Sequence, residues 1–265
     1  MKQENPAFVA FDNTIEGLVF NDIAHPRFPI KYYNVHSRLP ELYGSCSYYG
    51  YVYGGYYSVL FSGSGIQTIN DGMFFSTAGK FSITDHGPDA RMVLIEVWHT
   101  NGDYQKNKFR AYTLFGGPIE QEGRLKYIDG CTDSLLIPPV KMGDPCLNHL
   151  HFPRNITQTS HTHPSHRIGI VADGRGTCVT PFGLLPLEKG MIFVIKEDDG
   201  TLHQGLDGDE YPAGEHKFDT QDSHMDVIAF HPDSDFGATD EVHPMINRTM
   251  VEGVSASNIE SIRTK

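Results

Sequence analysis

Short apolar and alternating runs, separated by turns rich in glycine and proline, occupy most of the chain. A strand points successive side chains to opposite faces, so brief runs of β-branched and aromatic residues between turn residues predict strands. The first half contains six such runs, at 8–11, 17–20, 56–61, 66–69, 80–83 and 92–98. The second half contains four, at 168–172, 177–180, 191–195 and 225–230. This spacing predicts an all-β sandwich or barrel.

The remaining segments carry weaker signals. Residues 101–147 are rich in Gly, Pro, Asp and Lys and predict a connection with some strand near 110–114. Residues 198–222 are polar and predict a long loop. The tail at 256–264, preceded by Ser255 as a cap, is the best candidate for a helix.

An internal repeat is indicated by glycines in register. A shift of 111 positions carries Gly63-Ser64-Gly65 to Gly174-Arg175-Gly176, and it also carries Gly72 to Gly183. The apolar run at 81–83 falls on 192–194 under the same shift. Glycines at fixed offsets mark turns with strands between them, so the pattern predicts two copies of one β unit.

Composition limits the class of protein. The 265 residues suit one large domain or two small ones, and the net charge of -12 argues against a nucleic-acid partner or an anionic membrane surface. No apolar run approaches the roughly 18 residues of a membrane span, and the N-terminus lacks the pattern of a signal peptide. The four cysteines are scattered, which favours a reduced, cytoplasmic protein.

Three of the 14 histidines suggest a metal site. His161 and His163 are two apart, so a strand would aim both side chains to one face, and His203 follows downstream behind Gly200. Neutral imidazole is a common ligand for Zn, Fe, Ni and Cu. Two histidines alone would fit a solvated strand face better, and the third, framed by glycines, favours a ligand set. A second His-x-His pair, His149 and His151, lacks this frame.

The second half resembles the cupin family over roughly residues 155–230. The first cupin motif, Gly-x5-His-x-His-x3-4-Glu-x6-Gly, aligns with Asn155, His161-Thr162-His163, Arg167 and Gly174. The second motif, Gly-x5-Pro-x-Gly-x2-His-x3-Asn, aligns after a two-residue expansion with Gly190, Lys196, Gly200, His203 and Asp207. Arginine therefore replaces the usual glutamate ligand, and lysine replaces the proline.

The resemblance implies two tandem cupin barrels, of the double-stranded β-helix or jelly-roll type. The expected division is an N-terminal barrel at 1–115, a connection at 116–147, a C-terminal barrel at 148–250 and a tail at 251–265. Shifting the site back by 111 gives Gly50, Val52 and Met92, and counting the second motif from Gly79 gives Ala90 at the third position, so the N-terminal barrel is expected to lack a metal. In length and asymmetry the chain is similar to the 5-keto-4-deoxyuronate and 5-deoxyglucuronate isomerases.

Arg167 leaves three possibilities for the site. The metal sits on three histidines with water, as in three-histidine cupin oxygenases such as thiol dioxygenases. Alternatively, His166 turns inward as a fourth ligand, or the site is metal-free and Arg167 holds an anion. An inward arginine favours a small anionic substrate, because a carboxylate forms a bidentate pair with it. An outward salt bridge is the other reading of Arg167.

The tyrosines at 48–57 are the remaining unusual feature. In a strand, Tyr49, Tyr51 and Tyr53 share one face. Tyrosines that fill the first barrel are the preferred explanation, and a dimer contact is the second.

These observations predict a metal-dependent enzyme that acts on a small, anionic, oxygenated metabolite, either a dioxygenase or an isomerase. The expected ligands of a divalent Fe, Zn, Mn or Ni ion are His161, His163 and His203. Arg167 is expected to bind substrate, and His166 or His151 to transfer protons. The alternatives are a non-catalytic bicupin that binds a sugar or metabolite and a storage protein. The family resemblance implies a homodimer.

Overall fold

The computed structural model describes residues 2–99, 110–239 and 249–261, and strands dominate these ranges. The N-terminal half contains β1 (Lys2–Glu4), β2 (Phe8–Phe11), β3 (Gly17–Asp22), β4 (Ile30–Val35), β5 (Cys46–Gly54), β6 (Tyr56–Phe61), β7 (Gly65–Asn70), β8 (Phe74–Ala78), β9 (Phe81–His86) and β10 (Arg91–Trp98). The C-terminal half contains β11 (Leu114–Gly116), β12 (Leu125–Lys126), β13 (Thr132–Ile137), β14 (Cys146–Phe152), β15 (Arg167–Thr180), β16 (Gly183–Glu188), β17 (Ile192–Ile195), β18 (Leu202–Gln204), β19 (Glu210–Pro212), β20 (Lys217–Asp219), β21 (Met225–His231), β22 (Met250–Val251) and β23 (Val254–Ser255). Two short 3-10 turns, Ile128–Gly130 and Ala256–Asn258, are the helical elements of the described ranges.

The N-terminal half encloses an aromatic core between two sheets. One sheet has the order β11-β8-β5-β10-β4-β3, and the other has the order β7-β6-β9. Tyr48, Tyr57, Phe61 and Phe75 are fully buried between them. Tyr48 and Tyr57 of the tyrosine-rich segment therefore fill this interior, whereas Tyr49, Tyr51 and Tyr53 lie on the other face of β5 and do not.

The C-terminal half is built around the long strand β15. Its first part pairs with β17 and β21 in a sheet of order β1-β2-β17-β15-β21-β14-β13-β12, and its second part pairs with β16 and β20. The strand thus takes part in both groups of paired strands. Between them lies a second core, which includes Phe152, Phe193, Phe218 and Met225.

A third core joins the two halves. Alternate residues of β5 turn away from the N-terminal interior, so Tyr49 and Tyr51 pack against the sheet of the C-terminal half. The ring of Phe230 on β21 lies 4.9 Å from the ring of Tyr49 and is fully buried. The two sheets therefore pack face to face over an apolar interface.

The first two strands cross into the other half of the molecule. Strand β2 pairs with β17 in the register Phe8 to Ile195 and Phe11 to Ile192, and β1 pairs with β2. The sequence-based division places these residues in the N-terminal barrel, whereas the structure adds them to the C-terminal sheet. The apolar run at 8–11 predicts a buried strand without indicating its partner.

The structure supports a repeat with a different offset. Gly63–Gly65 lie at the turn between β6 and β7, whereas Gly174–Gly176 lie inside β15, so the shift of 111 equates unlike elements. A shift of 118 carries β7 to β16 and Gly72 to Gly190, both of which have a positive φ. In each half a strand glycine also faces a phenylalanine ring across the ladder, Gly50 opposite Phe75 and Gly169 opposite Phe193.

The other predicted elements fit to different degrees. The runs at 168–172 and 177–180 are parts of one strand, β15, and the predicted strand at 110–114 is shifted to β11. The expected loop at 198–222 contains β18, β19 and β20. In the part of the predicted tail helix that the structure describes, only the 3-10 turn forms, and residues 262–264 lie outside the described residues.

Within the described ranges, no helix combines the length and apolar character needed to cross a membrane.

Asp133 on β13 allows the effect of a buried carboxylate on the stability of the C-terminal half to be tested. Its Oδ1 is buried and has no hydrogen-bond partner among the described residues, and burial raises the carboxyl pKa from 3.8 to about 6. The unfolded chain therefore releases this proton at lower pH than the folded chain does. Stability is lost as pH rises from about 4 to about 6, and it stays lower above that window.

We expect Asp133→Asn to increase the free energy of unfolding at pH 7 by on the order of 1 kcal/mol, because it removes a partly screened buried charge. The amide oxygen keeps an acceptor for the backbone N–H of Ser134. At pH 4 the change should be small. Urea unfolding at both pH values measures the difference, and an equal effect at pH 4 and pH 7 would contradict it.

Candidate metal centre

Three histidines meet at one end of the C-terminal core. His161, His163 and His216, hereafter the histidine triad, each offer a ring nitrogen, and these atoms lie within 4.8 Å of one another. The ring centroids are 5.0 Å apart for His161 and His163, 4.6 Å for His161 and His216, and 5.3 Å for His163 and His216. This spacing suits three imidazoles that converge on one ion.

Backbone pairing brings the triad together across 55 residues of sequence, from 161 to 216. His161 and His216 form an antiparallel bridge, with N–H to carbonyl distances of 2.9 Å and 3.0 Å in the two directions. Gly214 makes the approach to His216 possible. Its φ is +74°, and a Cβ there would lie 2.2 Å from the carbonyl oxygen of Lys196, which excludes larger residues.

Hydrogen bonds fix the tautomers of two triad members. Nδ1 of His161 donates to the carbonyl oxygen of Thr159 at 2.8 Å, and Nδ1 of His216 donates to that of Gly214 at 2.9 Å. Each bond leaves the Nε2 lone pair free and directed away from the backbone. A backbone carbonyl partner on the second nitrogen is the usual arrangement of a metal-binding histidine.

The surroundings of the triad keep its buried members neutral. Burial, followed by the neighbouring charge of His161, lowers the pKa of His216 to about 3. Burial and then the Arg167 guanidinium lower the pKa of His163 far below its usual value. Because a metal ligand must be a neutral imidazole, these two side chains are ready to bind an ion near pH 7.

A narrow cavity of about 30 Å³ opens beside the triad. That volume holds only one or two groups the size of a water molecule. Its walls are mostly apolar and include Leu150, Phe152, Phe193 and Ile195, while Arg167 and His231 supply polar atoms. Such walls limit access of water to an ion on the triad and leave room for a small group beside it.

Arg167 lies on β15, turns into this cavity and is part of an ion pair. Its Nη1 donates to Asp233 at 3.1 Å and also to the hydroxyl of Ser165. Its Nε is buried and has no hydrogen-bond partner among the described residues. Arg167 is therefore ion-paired while it faces inward, rather than forming the outward salt bridge of the sequence interpretation, and its contact with substrate stays a prediction. Asp233 offsets the positive charge that would otherwise repel a nearby cation.

The structure does not bring His203, the predicted third ligand, to the triad, and His216 lies there instead. His203 lies on β18, where its Nε2 is 3.0 Å from the Thr201 hydroxyl and its ring contacts Phe182. The β18–β19 hairpin lengthens the segment before the ligand. The sequence does carry a signal for His216, because Pro212-Ala213-Gly214 precedes it in the Pro-x-Gly-x-His order of a slightly shortened cupin motif.

The two histidines predicted to transfer protons, His166 and His151, lie outside the cavity lining. Nε2 of His166 bonds to Asp22 at 3.1 Å, and its Nδ1 accepts the backbone N–H of Glu197 at 2.9 Å. Nδ1 of His151 bonds to Asp226 at 2.8 Å. His166 therefore does not serve as a fourth ligand in this arrangement. His231, at the end of β21, is an additional histidine on the cavity wall.

The matching positions of the N-terminal half carry different chemistry. Counting along the strands from the paired glycines Gly50 and Gly169 puts Tyr48 at the position of Arg167 and Glu96 at that of His231. The Tyr48 hydroxyl donates to Glu96 at 3.2 Å, and both side chains are fully buried. Among the described residues, both groups of side chains with metal-ligand spacing belong to the C-terminal half.

Solved structures share this architecture. A putative glyoxylate-induced protein from Pseudomonas aeruginosa has a TM-score of 0.61 and 11% identity, covering 90% of this chain and 93% of its own. A salicylate 1,2-dioxygenase from Pseudaminobacter salicylatoxidans has a TM-score of 0.57 and 10% identity, covering 88% and 86%. Protein Ylba from E. coli has a TM-score of 0.55 and 12% identity, covering 90% and 89%.

These similarities show the fold alone, because the sequence identities are low. The chain has the all-β cupin fold expected from its sequence. No protein-family model and no curated protein sequence matches the chain. Its function therefore has to be argued from the site itself.

Proposed function

We propose that the protein is a metal-dependent cupin enzyme built from two tandem barrels, with a divalent ion held by His161, His163 and His216. The observation that carries the proposal is the histidine triad, whose members converge within 4.8 Å and two of whose tautomers, those of His161 and His216, are set by backbone carbonyls. The donor set fits the ion, since three neutral imidazoles suit Fe, Zn, Ni or Cu. When bound, the ion would supply Lewis acidity and, if it is Fe, reactivity towards dioxygen.

The cavity restricts the substrate to a small molecule. Pockets that enclose drug-sized ligands measure roughly 300–1,000 Å³, whereas this cavity measures about 30 Å³. A ring as large as salicylate does not fit unless the walls move. The free N–H of Arg167 favours an anionic oxygen at the same end, because a charged donor binds carboxylates strongly. Among anionic metabolites, the smallest oxo or hydroxy acids come closest to meeting both requirements, with only part of the molecule inside the cavity.

A dioxygenase reaction is the type we favour. The similar salicylate 1,2-dioxygenase uses this fold, and the three-histidine donor set leaves coordination positions open beside a largely apolar wall. Within the chain, Arg167 orients the anionic end of the substrate and Asp233 holds the guanidinium in place. The apolar walls exclude bulk water from the reacting group.

Oxygen consumption tests this proposal. Protein loaded anaerobically with Fe²⁺ would be screened with glyoxylate, pyruvate, lactate and related acids in an oxygen electrode. We expect uptake with at least one acid for the wild type and the His203→Ala control, and none for His163→Ala. Turnover that is equal under argon would indicate an isomerase instead. A protein that binds an acid but takes up no metal under any loading condition would be a non-catalytic binding cupin.

Arg167 gives a second prediction. We expect Arg167→Gln to weaken binding of the active acid by about 10–100-fold, because a hydrogen bond to a charged group contributes roughly 1.5–3 kcal/mol. Arg175→Gln, which removes an exposed arginine paired with Asp222, is the matched control and should bind as the wild type does. Isothermal titration calorimetry of both variants measures the affinities. Equal affinity for Arg167→Gln and the wild type would remove Arg167 from the site.

A further inference from the structure

A second cluster of histidines and carboxylates lies on the opposite face of the same sheet. Along β21, Val227 and Ala229 pack in the C-terminal core, so Asp226 turns the other way, towards the N-terminal half. Its Oδ1 accepts hydrogen bonds from Nε2 of His149 and from Nδ1 of His151, both at 2.8 Å. The Asp226 side chain is only 7% exposed, so this carboxylate is almost completely enclosed.

The other oxygen of Asp226 faces a pair of potential ligands. Nε2 of His224 lies 3.4 Å from Asp226 Oδ2 and 3.3 Å from Asp173 Oδ2. The three side chains each offer one ligand atom within 4.8 Å of the others. In a tetrahedral site with bonds of roughly 2.0–2.2 Å, ligand atoms lie roughly 3.3–3.6 Å apart. Two of the separations already have the spacing that an ion requires.

The charges of this cluster also call for a cation. Two carboxylates, Asp173 and Asp226, lie close together, and the Lys189 ammonium, 3.1 Å from Asp173, supplies one compensating charge. His149 and His151 hold the Asp226 carboxylate from behind, which is how outer residues orient a metal ligand. The ring of His151 also stacks on that of His224, with centroids 5.8 Å apart. These contacts orient two of the three ligands without an ion.

We propose that Asp173, His224 and Asp226 form a second metal site, which binds a divalent first-row transition ion such as Zn²⁺ or Mn²⁺. A mixture of carboxylate oxygen and imidazole nitrogen selects this class of ion. The site joins β15 to β21 on the face towards the N-terminal half, so the ion serves as a structural clip. It is independent of the histidine triad and of any activity proposed for that triad.

Metal stoichiometry tests the site. Protein stripped by chelator at pH 7.5 would be incubated with excess Zn²⁺, desalted and analysed for metal per chain by mass spectrometry. We expect two ions for the wild type, one for His224→Ala, one for His163→Ala and none for the double variant. His203→Ala, which removes a histidine outside both clusters, should retain two. The same series with Mn²⁺ shows which ion the second site prefers.

The metal counts distinguish an error in the second site from an error in the histidine triad. If the wild type and His224→Ala bind equal numbers of ions, the second site is wrong, whatever His163→Ala shows. If His163→Ala keeps the wild-type number while His224→Ala loses one, the histidine triad is wrong and the second site stands. His224 and Asp173 are 37% and 53% exposed, so both substitutions leave the buried core intact. Asp173→Asn repeats the test with a near-isosteric change and should also lose one ion.

Discussion

Replacing His216 by alanine should remove the metal ion from the histidine triad. The imidazole is buried, neutral and held by the Gly214 carbonyl, and its removal leaves only two of the three converging ring nitrogens of the triad. Loss of an outer residue that only orients a ligand lowers metal affinity by roughly 10–100-fold, and loss of the ligand itself should exceed that range. We therefore expect the Zn²⁺ affinity to fall by more than about 100-fold.

The measurement requires a single-site background. In His224→Ala protein, competition with a chromophoric chelator reports the affinity of the triad alone. His203→Ala in the same background is the matched control, because His203 is the histidine that motif spacing selects and the structure places on β18. If His203→Ala lost the ion and His216→Ala kept it, the sequence-based ligand set would be right and the geometric one wrong. Circular dichroism of each variant verifies that the fold survives.

The contrast between His203 and His216 shows what sequence can and cannot locate. His161 and His163 are found because strand geometry relates residues that are two apart. The third ligand depends on a backbone bridge between His161 and His216, and the β18–β19 hairpin inserted before it defeats a count along the chain. A search for Pro-x-Gly-x-His, with the length from Gly190 to the proline left free, selects His216.

The sequence predicts those parts of the fold that depend on local pattern, and it does not predict the pairing of distant strands. Apolar runs bounded by turn residues identify β2 and β6 at their observed ends, because both strands are defined by local pattern. Strand β14 is missed, because its sequence Cys146–Phe152 mixes two histidines and an asparagine with apolar residues and faces two different cores. The pairing of β2 with β17 is also unpredictable from pattern alone, since a buried strand carries no signal for its distant partner.

The repeat is likewise visible but placed wrongly. Glycines recur throughout the chain, so several offsets align some of them, and 111 is one such offset. Pairs that only the ladder reveals support an offset of 118 to 119, because Phe75 corresponds to Phe193 at 118 and the glycine opposite, Gly50, corresponds to Gly169 at 119. At Gly50 a Cβ would lie 2.3 Å from the Phe75 ring, and at Gly169 it would lie 2.5 Å from the Phe193 ring. The same steric requirement in both halves is stronger support for a duplicated unit than glycine spacing is.

The second prediction with a large expected effect concerns the stability contributed by packing between the two halves. Phe230 is fully buried in the core that joins them, and its ring contacts Tyr49 at 4.9 Å. Its neighbours along β21 alternate between this interface and the C-terminal interior, so the ring contributes to the contact between the halves rather than to the cavity. Truncation here leaves a void between two sheets whose backbones are fixed by their own ladders, and this limits collapse around it.

We expect Phe230→Ala to lower the free energy of unfolding by about 3–5 kcal/mol, the range found when a buried aromatic side chain is removed from a core. Phe236→Ala is the matched control, because it makes the same substitution at a residue that is 57% exposed, and it should change stability by less than about 0.5 kcal/mol. Guanidinium unfolding monitored by circular dichroism and by tyrosine fluorescence measures both variants. If circular dichroism and tyrosine fluorescence reported two separate unfolding transitions in Phe230→Ala, the result would show that this interface couples the unfolding of the two halves. A loss no larger than that of Phe236→Ala would show that the halves do not depend on this contact.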